Sequence, residues 1–222
     1  TLLGCTPGTY TLESVIQCGS ATLSWFDDVF DTSHQTAAEW DTLVQDVPPG
    51  SHGLLVVPHW RGVRVPHNDP VARGTVLGWN DRVTAATFRR AIMEGMGFEF
   101  SQLLELAEAT TGQRVNSVVV GGGGARADVW CGILADIMAR PVVRPATVEL
   151  SSLGAALCAR AALRPNDAAT PTVLDSQADT FTPHPRTRAL YAELRTVHAG
   201  VYERTRTIAH DLRRVFKADL QH

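Results

Sequence analysis

Apolar residues recur at helical spacing most strongly between residues 84 and 112. Steps of four and three separate them, which is the spacing of one buried helical face. Thr84 can cap the first turn with its hydroxyl, and Gly112 can end the last turn in a left-handed conformation. The pattern therefore predicts a long helix that begins near Thr84 and ends at Gly112. Its apolar stripe consists of Phe88, Ile92, Met96, Phe100, Leu103 and Leu106.

Shorter patterns fill the first part of the chain. β-Branched and aromatic residues indicate strands, spaced apolar residues indicate helices, and a stretch with three prolines indicates an ordered loop. The predicted elements are a strand over Thr9–Ile16, a helix over Ala21–Phe30 opened by Gly19 and Ser20, a helix over Ala37–Val44, a strand over Leu54–Val57 and a loop over Pro58–Arg73.

After Gly112, strands and helices alternate in the manner of an α/β domain. The predicted order is a strand over Val115–Val120, the glycine run Gly121–Gly124, a helix over Ala127–Ala139, a strand over Pro141–Arg144 and a helix over Ser152–Leu163.

The remainder of the chain differs in composition. Residues 164–185 are rich in Pro, Asn, Asp, Thr and Ala, which predicts a surface connection. A single long helix is predicted from Arg186 to Phe216 and packs on the domain formed by residues 1–163. Its predicted buried stripe consists of Leu190, Leu194, Val197, Val201, Ile208, Leu212 and Val215.

Composition and charge exclude several classes of protein. The chain has 222 residues, 44% of them hydrophobic, and a net charge of -3, which excludes a disordered chain and argues against nucleic-acid binding. Lys217 is the only lysine, so a Walker A site is excluded. No apolar run predicts a membrane span or a signal peptide. The scattered residues Cys5, Cys18, Cys131 and Cys158 are expected to be core residues of a cytoplasmic protein.

The glycine run Gly121–Gly124 is the strongest chemical signal in the sequence. Glycines at a strand-to-helix turn let backbone N–H groups approach a ligand closely, and the following helix adds the positive end of its dipole. An anion such as phosphate suits that arrangement. The alternative without a ligand is a turn that serves close packing of helix and sheet.

A dinucleotide fold is a second alternative for the same run. Gly122, Gly124 and Ala127 satisfy the pattern G-x-G-x-x-A after a strand, and Arg144 lies where an NADP 2′-phosphate could be bound. Such a domain should continue with a third parallel strand after Leu163. The sequence continues instead into a polar connection, which argues against this alternative.

Several motifs in register resemble the C-terminal domain of the FGGY carbohydrate kinases, the family of xylulokinase and glycerol kinase. The resemblance covers nearly the whole chain, and linked motifs are more specific than any one alone. The motifs are P-H-N-D-P-V-A-R-G-T-V-L-G-W, F-R-R-A-I-M-E-G-M-G-F-E, V-V-V-G-G-G-G-A-R-A-D-V-W-C-G-I-L-A-D and S-S-L-G-A-A.

The resemblance implies a ribonuclease-H-like, actin-like α/β domain that binds ATP with Mg²⁺ for phosphoryl transfer to a sugar or polyol hydroxyl. It places Gly121, Gly122, Gly123 and Gly124 beside the phosphates and adenosine, and Arg126 and Ala127 at the adenine side. Ser20 and Ser24 match positions near the nucleotide.

The resemblance also implies what this chain does not contain. The family's catalytic aspartate, its sugar-binding N-terminal domain and the first two strands of this domain are expected before Thr1. No catalytic residue and no metal ligand are assigned here. The chain is therefore expected to supply one nucleotide-binding wall, to be inactive by itself, and to be able to form a homodimer. A non-catalytic truncated or split remnant is the alternative.

Other polar residues favour structural interpretations. Asp69 is expected to fix a turn, with Arg73 offsetting its charge. His59 and His67 are interpreted as loop histidines, because no helix or strand period places a carboxylate partner beside them. Glu94 and Glu99 are expected to be buried or surface groups that do not act as paired acids, and Trp130 is expected to serve packing.

Overall fold

The fold of the computed structural model is organised around the long helix α3 (Ala85–Thr111). The structure describes residues 2–3, 8, 10–17, 19–163 and 177–219. The Thr84 hydroxyl accepts a hydrogen bond from the Thr87 N–H at 3.2 Å, and Gly112 ends the helix with a φ of 68°. Both predicted ends are therefore confirmed. The predicted stripe is buried except at Phe100 and Leu106, which are partly exposed near the C-terminal end of α3.

The elements before α3 form two small sheets and two helices. Both predicted helices are confirmed, whereas the strand predicted over Thr9–Ile16 is wrong in extent, because no described strand pairs with residues 12–16. The strand over Thr75–Leu77, which pairs with the strand over Leu55–Val57, was missed. The elements are β1 (Leu2–Leu3), β2 (Tyr10–Thr11), α1 (Ser20–Val29), α2 (Ala37–Gln45), β3 (Leu55–Val57) and β4 (Thr75–Leu77).

Two antiparallel pairings, β1 with β2 and β3 with β4, hold these strands. Between β3 and β4 the segment 58–73 contains only isolated bridges, such as the pairing of Val63 with Asp69. The prediction of an ordered loop is confirmed there. We call this segment the proline loop.

A three-stranded sheet follows α3 and positions the glycine run. Its strands are β5 (Val118–Val119), β6 (Val142–Arg144) and β7 (Asp179–Phe181), in the order β5-β6-β7. β5 pairs parallel to β6, and β7 pairs antiparallel to β6. The helix α4 (Asp128–Met138) connects β5 to β6, and α5 (Leu150–Leu163) follows β6.

β7 corrects the prediction that residues 164–185 form only a surface connection. Phe181 lies opposite Val142 and packs against the cluster around the buried Cys131, so its apolar side chain explains the strand. Residues 164–176 lie outside the described part of the chain. The strand also runs antiparallel, and the third parallel strand of a dinucleotide fold is not found among the described residues.

Two helices replace the single long helix predicted from Arg186 to Phe216. They are α6 (Arg188–Ala199) and α7 (Val201–Asp219), which separate at Gly200. α6 packs on α3 and α4, and the buried Tyr202 of α7 contacts Asp69 in the proline loop. One straight helix could not make both contacts, which explains the break.

The predicted apolar stripe of that helix is also wrong in most positions. Val201 is buried, but the later positions of the stripe are more than half exposed, as is Val197. The side chains that bury α6 and the start of α7 are amphipathic instead. They are Tyr191, His198 and Tyr202.

The largest core cluster joins α1, α2, β3, α3, α4 and α6. Trp130 packs at its margin, as predicted. Cys131 is buried, but Cys158 is exposed, so the expectation of a core residue is wrong there; Cys5 and Cys18 lie outside the described residues. Within the described part of the chain, each helix is too short or too polar to cross a membrane.

Candidate functional site

A cleft of about 410 Å³ lies between the glycine run and the helices α1, α2 and α3. Its volume is within the range of small-molecule sites, and its walls are mainly apolar with a few polar groups. The residues that line it are Gly19, Ser20, Leu23, Ala37, Trp40, Asp41, Val44, Arg89, Met93, Met96, Phe100, Gly121, Gly122, Gly123, Gly124, Ala127, Val129 and Trp130.

The glycine run forms one rim of this cleft. Gly122 has φ 82° and ψ 179°, a conformation that is essentially restricted to glycine. Its N–H donates to the Val148 carbonyl at 2.6 Å, and a 3₁₀ turn over Gly123–Arg126 follows. Within the part of the chain that the structure describes, no backbone oxygen accepts from the N–H groups of Gly123 or Gly124. These two donors are therefore available to a ligand.

Two helix N-termini border the same cleft. α1 begins at Ser20 with Gly19 as its N-cap, and α4 begins after Ala127. Neither N-cap residue makes a side-chain hydrogen bond to its helix. The positive ends of both helix dipoles thus lie at this cleft, although the Asp41 carboxylate accepts a hydrogen bond from the Asp128 N–H at the start of α4. The N-terminus of α1 is left for an anion.

The opposite wall suits an aromatic ring. Trp40, Met93 and Met96 belong to the main core cluster and present their remaining surface to the cleft. Trp130 lies beside the glycine run, about 3.8 Å from where a side chain on Gly124 would begin. The sequence analysis missed the contribution of α2 to this wall, although the buried spacing of Trp40 and Val44 could have indicated it.

Two charged side chains lie in this wall. Arg89 pairs with Asp27 of α1, and its guanidinium lies 4.4 Å from the centre of the Trp40 ring. Burial lowers the pKa of Arg89, and the Asp27 carboxylate opposes that effect. Burial, and then the neighbouring Asp128, raise the pKa of the half-buried Asp41. Arg89 is thus neutralised by Asp27, whereas Asp41 adds a further carboxylate to this wall.

Of the predicted site residues, the cleft brings together Ser20, the four glycines and Ala127. Ser24 is exposed on α1 and is not part of the lining. Arg126 is also outside the lining and forms an exposed ion pair with Glu149 at 3.0 Å. The roles of Ser24 and Arg126 stay predictions.

Arg144 is occupied by other groups. Its guanidinium forms ion pairs of 2.7 Å with both Asp128 and Asp179, and it donates to the Ala125 carbonyl. The Arg144 guanidinium thus joins the N-terminal end of α4, at Asp128, to β7, at Asp179. This arrangement argues against its use for an NADP 2′-phosphate.

The candidate polar residues of the proline loop lie away from this cleft. Asp69 accepts hydrogen bonds from the N–H groups of Val71 and Ala72, which confirms its predicted role in a turn. Its charged partner is His210 at 2.7 Å and not Arg73, whose guanidinium donates to backbone carbonyls.

The histidines of the proline loop have carboxylate neighbours that the sequence analysis did not identify. His59 Nε2 lies 3.1 Å from Glu99 Oε1, and His67 Nδ1 lies 3.6 Å from Glu203 Oε1. The carboxylates are 40 and 136 residues away along the chain, which explains why no local pattern indicated them.

Glu94 and Glu99 are both buried and serve different networks. Glu94 accepts from the Gly50 N–H, the Ser51 hydroxyl, Arg90 and Tyr191 at 2.7 to 2.9 Å. These contacts confirm that it is a buried structural group.

The described residues contain no group of three or more His, Cys, Asp or Glu side chains that could hold a metal ion. We therefore assign no residue of this chain to Mg²⁺. The donors that the cleft does provide, backbone N–H groups and helix termini, suit the phosphate groups of a nucleotide.

Comparison with known proteins identifies the family. Residues 2–163 match the C-terminal domain of the FGGY family of carbohydrate kinases. The glycerol kinase of Dechloromonas aromatica (strain RCB) is 34% identical over 151 residues, which are 68% of this chain and 30% of that protein. The glycerol kinase of Rhodospirillum rubrum is 34% identical over 209 residues, which are 92% of this chain and 40% of that protein.

Solved structures share the fold. The xylulose kinase from Rhodospirillum rubrum superposes with a TM-score of 0.70 at 28% identity, over 86% of this chain and 38% of that one. A xylulose kinase from Brucella ovis gives a TM-score of 0.73 at 23% identity, over 85% of this chain and 39% of that one. The chain thus spans 30 to 40% of the length of these relatives. It belongs to the FGGY family of carbohydrate kinases, in which it corresponds to the C-terminal domain.

Proposed function

We propose that this chain supplies the nucleotide-binding wall of an ATP-dependent sugar or polyol kinase. The observation that carries the proposal is the meeting of two helix N-termini and the glycine run at one cleft. Unpaired N–H groups at such a position bind phosphate through hydrogen bonds and the helix dipoles. The phosphates of ATP would contact the N–H groups of Gly123 and Gly124 and the N-terminus of α1 at Ser20.

The apolar wall gives the nucleotide its orientation. With the phosphates on the glycine run, the base would lie against the surface formed by Trp40, Met93 and Met96, which buries its faces from water. The backbone donors fix the phosphate end, and the aromatic and methionine side chains fix the base end. A bound nucleotide is thereby held in one direction across the cleft.

Phosphoryl transfer needs groups that this wall does not supply. The reaction requires a positioned hydroxyl, a base that accepts its proton, and a metal ion at the phosphates. Asp41, a carboxylate of the cleft lining, already accepts a hydrogen bond from the Asp128 N–H at the start of α4, so we do not assign it as the proton acceptor. We propose that Mg²⁺, the proton acceptor and the sugar or polyol site belong to the rest of a two-domain kinase.

ATP titration by calorimetry tests the site, with a matched pair of variants. Ser20→Glu places a carboxylate at the N-terminus of α1, where it suits the helix but repels the phosphates, so ATP affinity should fall at least tenfold. Ser24→Glu adds the same charge one turn away, outside the cleft, and should change the affinity less than threefold. Equal losses in both variants would contradict the site.

Competing functions give different results in the same titrations. An NADP-binding module would bind NADP⁺ more tightly than ATP, and a remnant without nucleotide function would bind neither. In a coupled ADP-release assay with pentuloses and polyols, the isolated chain should show no turnover above background. Turnover would overturn the assignment of the catalytic base to another segment.

A further inference from the structure

Two histidines from different elements converge on one buried carboxylate. His59 of the proline loop lies 3.1 Å from Glu99 Oε1, and His198 of α6 lies 3.9 Å from the same oxygen. All three residues are buried, and His198 is only 2% exposed. Glu99 is thus shared by a loop and a helix that are far apart in sequence.

The His198 imidazole lacks a hydrogen-bond partner for either ring nitrogen among the described residues. Its ring packs against Phe98, with 5.1 Å between the ring centres. The neutral imidazole is favoured in this position, because the cost of burying its charge outweighs the opposing effects of the Glu99 carboxylate and of the Val56 backbone. His59 already holds the nearer position at Glu99.

The start of α7 is held by a different kind of contact. Asp69 of the proline loop accepts from the Tyr202 hydroxyl at 2.9 Å and lies 2.7 Å from His210 Nε2. The His67 ring stacks on Tyr202 at 3.9 Å. The Asp69 carboxylate therefore joins α7 to the proline loop through two side chains of that helix.

We propose that the junction of α6 and α7 is an acid-sensitive contact, in which protonation of His198 releases the C-terminal end of α6 from α3 while Asp69 keeps α7 on the proline loop. The contacts of α6 and α7 are therefore lost in different pH ranges. This inference is independent of nucleotide binding.

The expected pH range follows from the pKa of each group. Burial lowers the pKa of His198 to about 4, although the Glu99 carboxylate opposes that effect. In the closed state α6 is packed on α3, and in the open state His198 is released from this contact. Below about pH 6.5, the pKa of an unperturbed histidine, the closed state binds fewer protons than the open state. The contribution of His198 to the stability of the closed state is therefore complete above that pH and is lost as the pH falls towards 4. For one such histidine, the opening constant increases about twentyfold between pH 7 and pH 5.

Asp69 loses its contribution only at a lower pH. Hydrogen bonds from His210, Tyr202 and Val71 outweigh burial and lower its pKa to about 2. Its contribution is present above the unfolded value of about 3.9 and is lost only as the pH falls towards 2. The α7 contact therefore persists at pH 5.

Other titratable and charged groups also surround this junction. Burial lowers the pKa of His67, so its stacking adds a smaller loss in acid. Arg195 of α6 pairs with Glu105 of α3 at 2.7 Å. The titratable and charged groups that face the junction are Glu99, His59, His67, Asp69, Glu105, Arg195, Glu203, Arg206 and His210.

Hydrogen exchange at pH 7 and pH 5, corrected for intrinsic rates, tests the inference. In the wild type, protection at the C-terminal end of α6 should fall about twentyfold, and protection at Tyr202 should fall less than threefold. His198→Leu removes the titrating group and should reduce the loss in α6 to less than threefold. His34→Leu changes an exposed histidine and should behave as the wild type.

Unchanged protection of α6 in the wild type, or an equal loss in His198→Leu, would overturn the inference. If His198→Leu does not fold, NMR titration of the wild-type imidazoles decides the same question. The His198 ring should titrate with a midpoint below 5 while the chain is folded. A midpoint near 6.5 would show that protonation costs nothing in the closed state, and the inference would fail.

Discussion

The nucleotide cleft and the polar junction beneath α6 and α7 are built in different ways. We define the polar junction as the side chains that join α3 and the proline loop to these helices. All are buried except His210, and they are Arg90, Glu94, Glu99, His59, Asp69, Tyr191, His198, Tyr202 and His210. The cleft is lined by apolar side chains and unpaired backbone donors. Most side chains of the junction form hydrogen bonds with one another, and these bonds join residues up to 141 positions apart.

This difference separates binding from stability. Donors without partners make the cleft ready for a ligand, and their loss costs the folded chain little. In the junction, each buried polar group depends on its neighbour, so removal of one leaves another without a partner in a dry environment. Substitutions in the junction should lower the free energy of unfolding, whereas substitutions in the cleft should change the affinity for ATP.

Glu94→Ala should give the largest effect. The Glu94 carboxylate accepts four hydrogen bonds, including those of the Arg90 guanidinium and the Tyr191 hydroxyl. Its removal leaves the Arg90 charge buried without a carboxylate, so the free energy of unfolding should fall by about 3 to 5 kcal/mol. Urea denaturation followed by circular dichroism measures the change.

Glu105→Ala is the control on the same helix. Glu105 forms an exposed ion pair with Arg195, so its removal should lower the free energy of unfolding by less than about 1 kcal/mol. Similar losses for both variants would contradict the distinction between a buried network and a surface pair.

The success of sequence reasoning follows the same division. The cap at Thr84, the left-handed Gly112 and the glycine turn depend on residues close together in the chain, and each was predicted correctly. Only the family resemblance predicted that the glycines and Ser20 belong to one site, because the elements that bring them together are distant in sequence.

The errors concern features that tertiary contacts decide. A continuous helix over Arg186–Phe216 satisfies the local apolar period, yet the chain breaks at Gly200 so that Tyr191 can contact Glu94 while Tyr202 contacts Asp69. The carboxylate partners of His59 and His67 were missed for the same reason. No window of local sequence contains both members of such pairs.

Gly122→Ala should give an intermediate loss of stability and a large loss of binding. An alanine at φ 82° and ψ 179° is strained, which should lower the free energy of unfolding by about 1 to 3 kcal/mol. Relief of that strain would turn the neighbouring N–H groups away from the proposed phosphates. We expect ATP affinity to fall at least tenfold in calorimetry.

Gly123→Ala separates backbone conformation from the added methyl group. No atom lies within 4 Å of the position that its Cβ would occupy, and its φ is not in the left-handed region. Its free energy of unfolding should change by less than about 1 kcal/mol, because neither a clash nor backbone strain arises. A loss of stability equal to that of Gly122→Ala would show that the conformation of Gly122 is not the critical feature.

Arg126→Ala should have the smallest effect on stability and gives the sharpest test of the boundary of the cleft. The Arg126 and Glu149 side chains are both about two-thirds exposed, so their ion pair should contribute less than about 0.5 kcal/mol to the free energy of unfolding. If the site ends at the lining, ATP affinity should change less than twofold in calorimetry. A loss of tenfold or more would show that the guanidinium leaves Glu149 and contacts the nucleotide, as the family resemblance implies. Glu149→Ala distinguishes the two cases. It should leave ATP affinity unchanged if Arg126 does not contact the nucleotide, and it should increase ATP affinity if the freed guanidinium does.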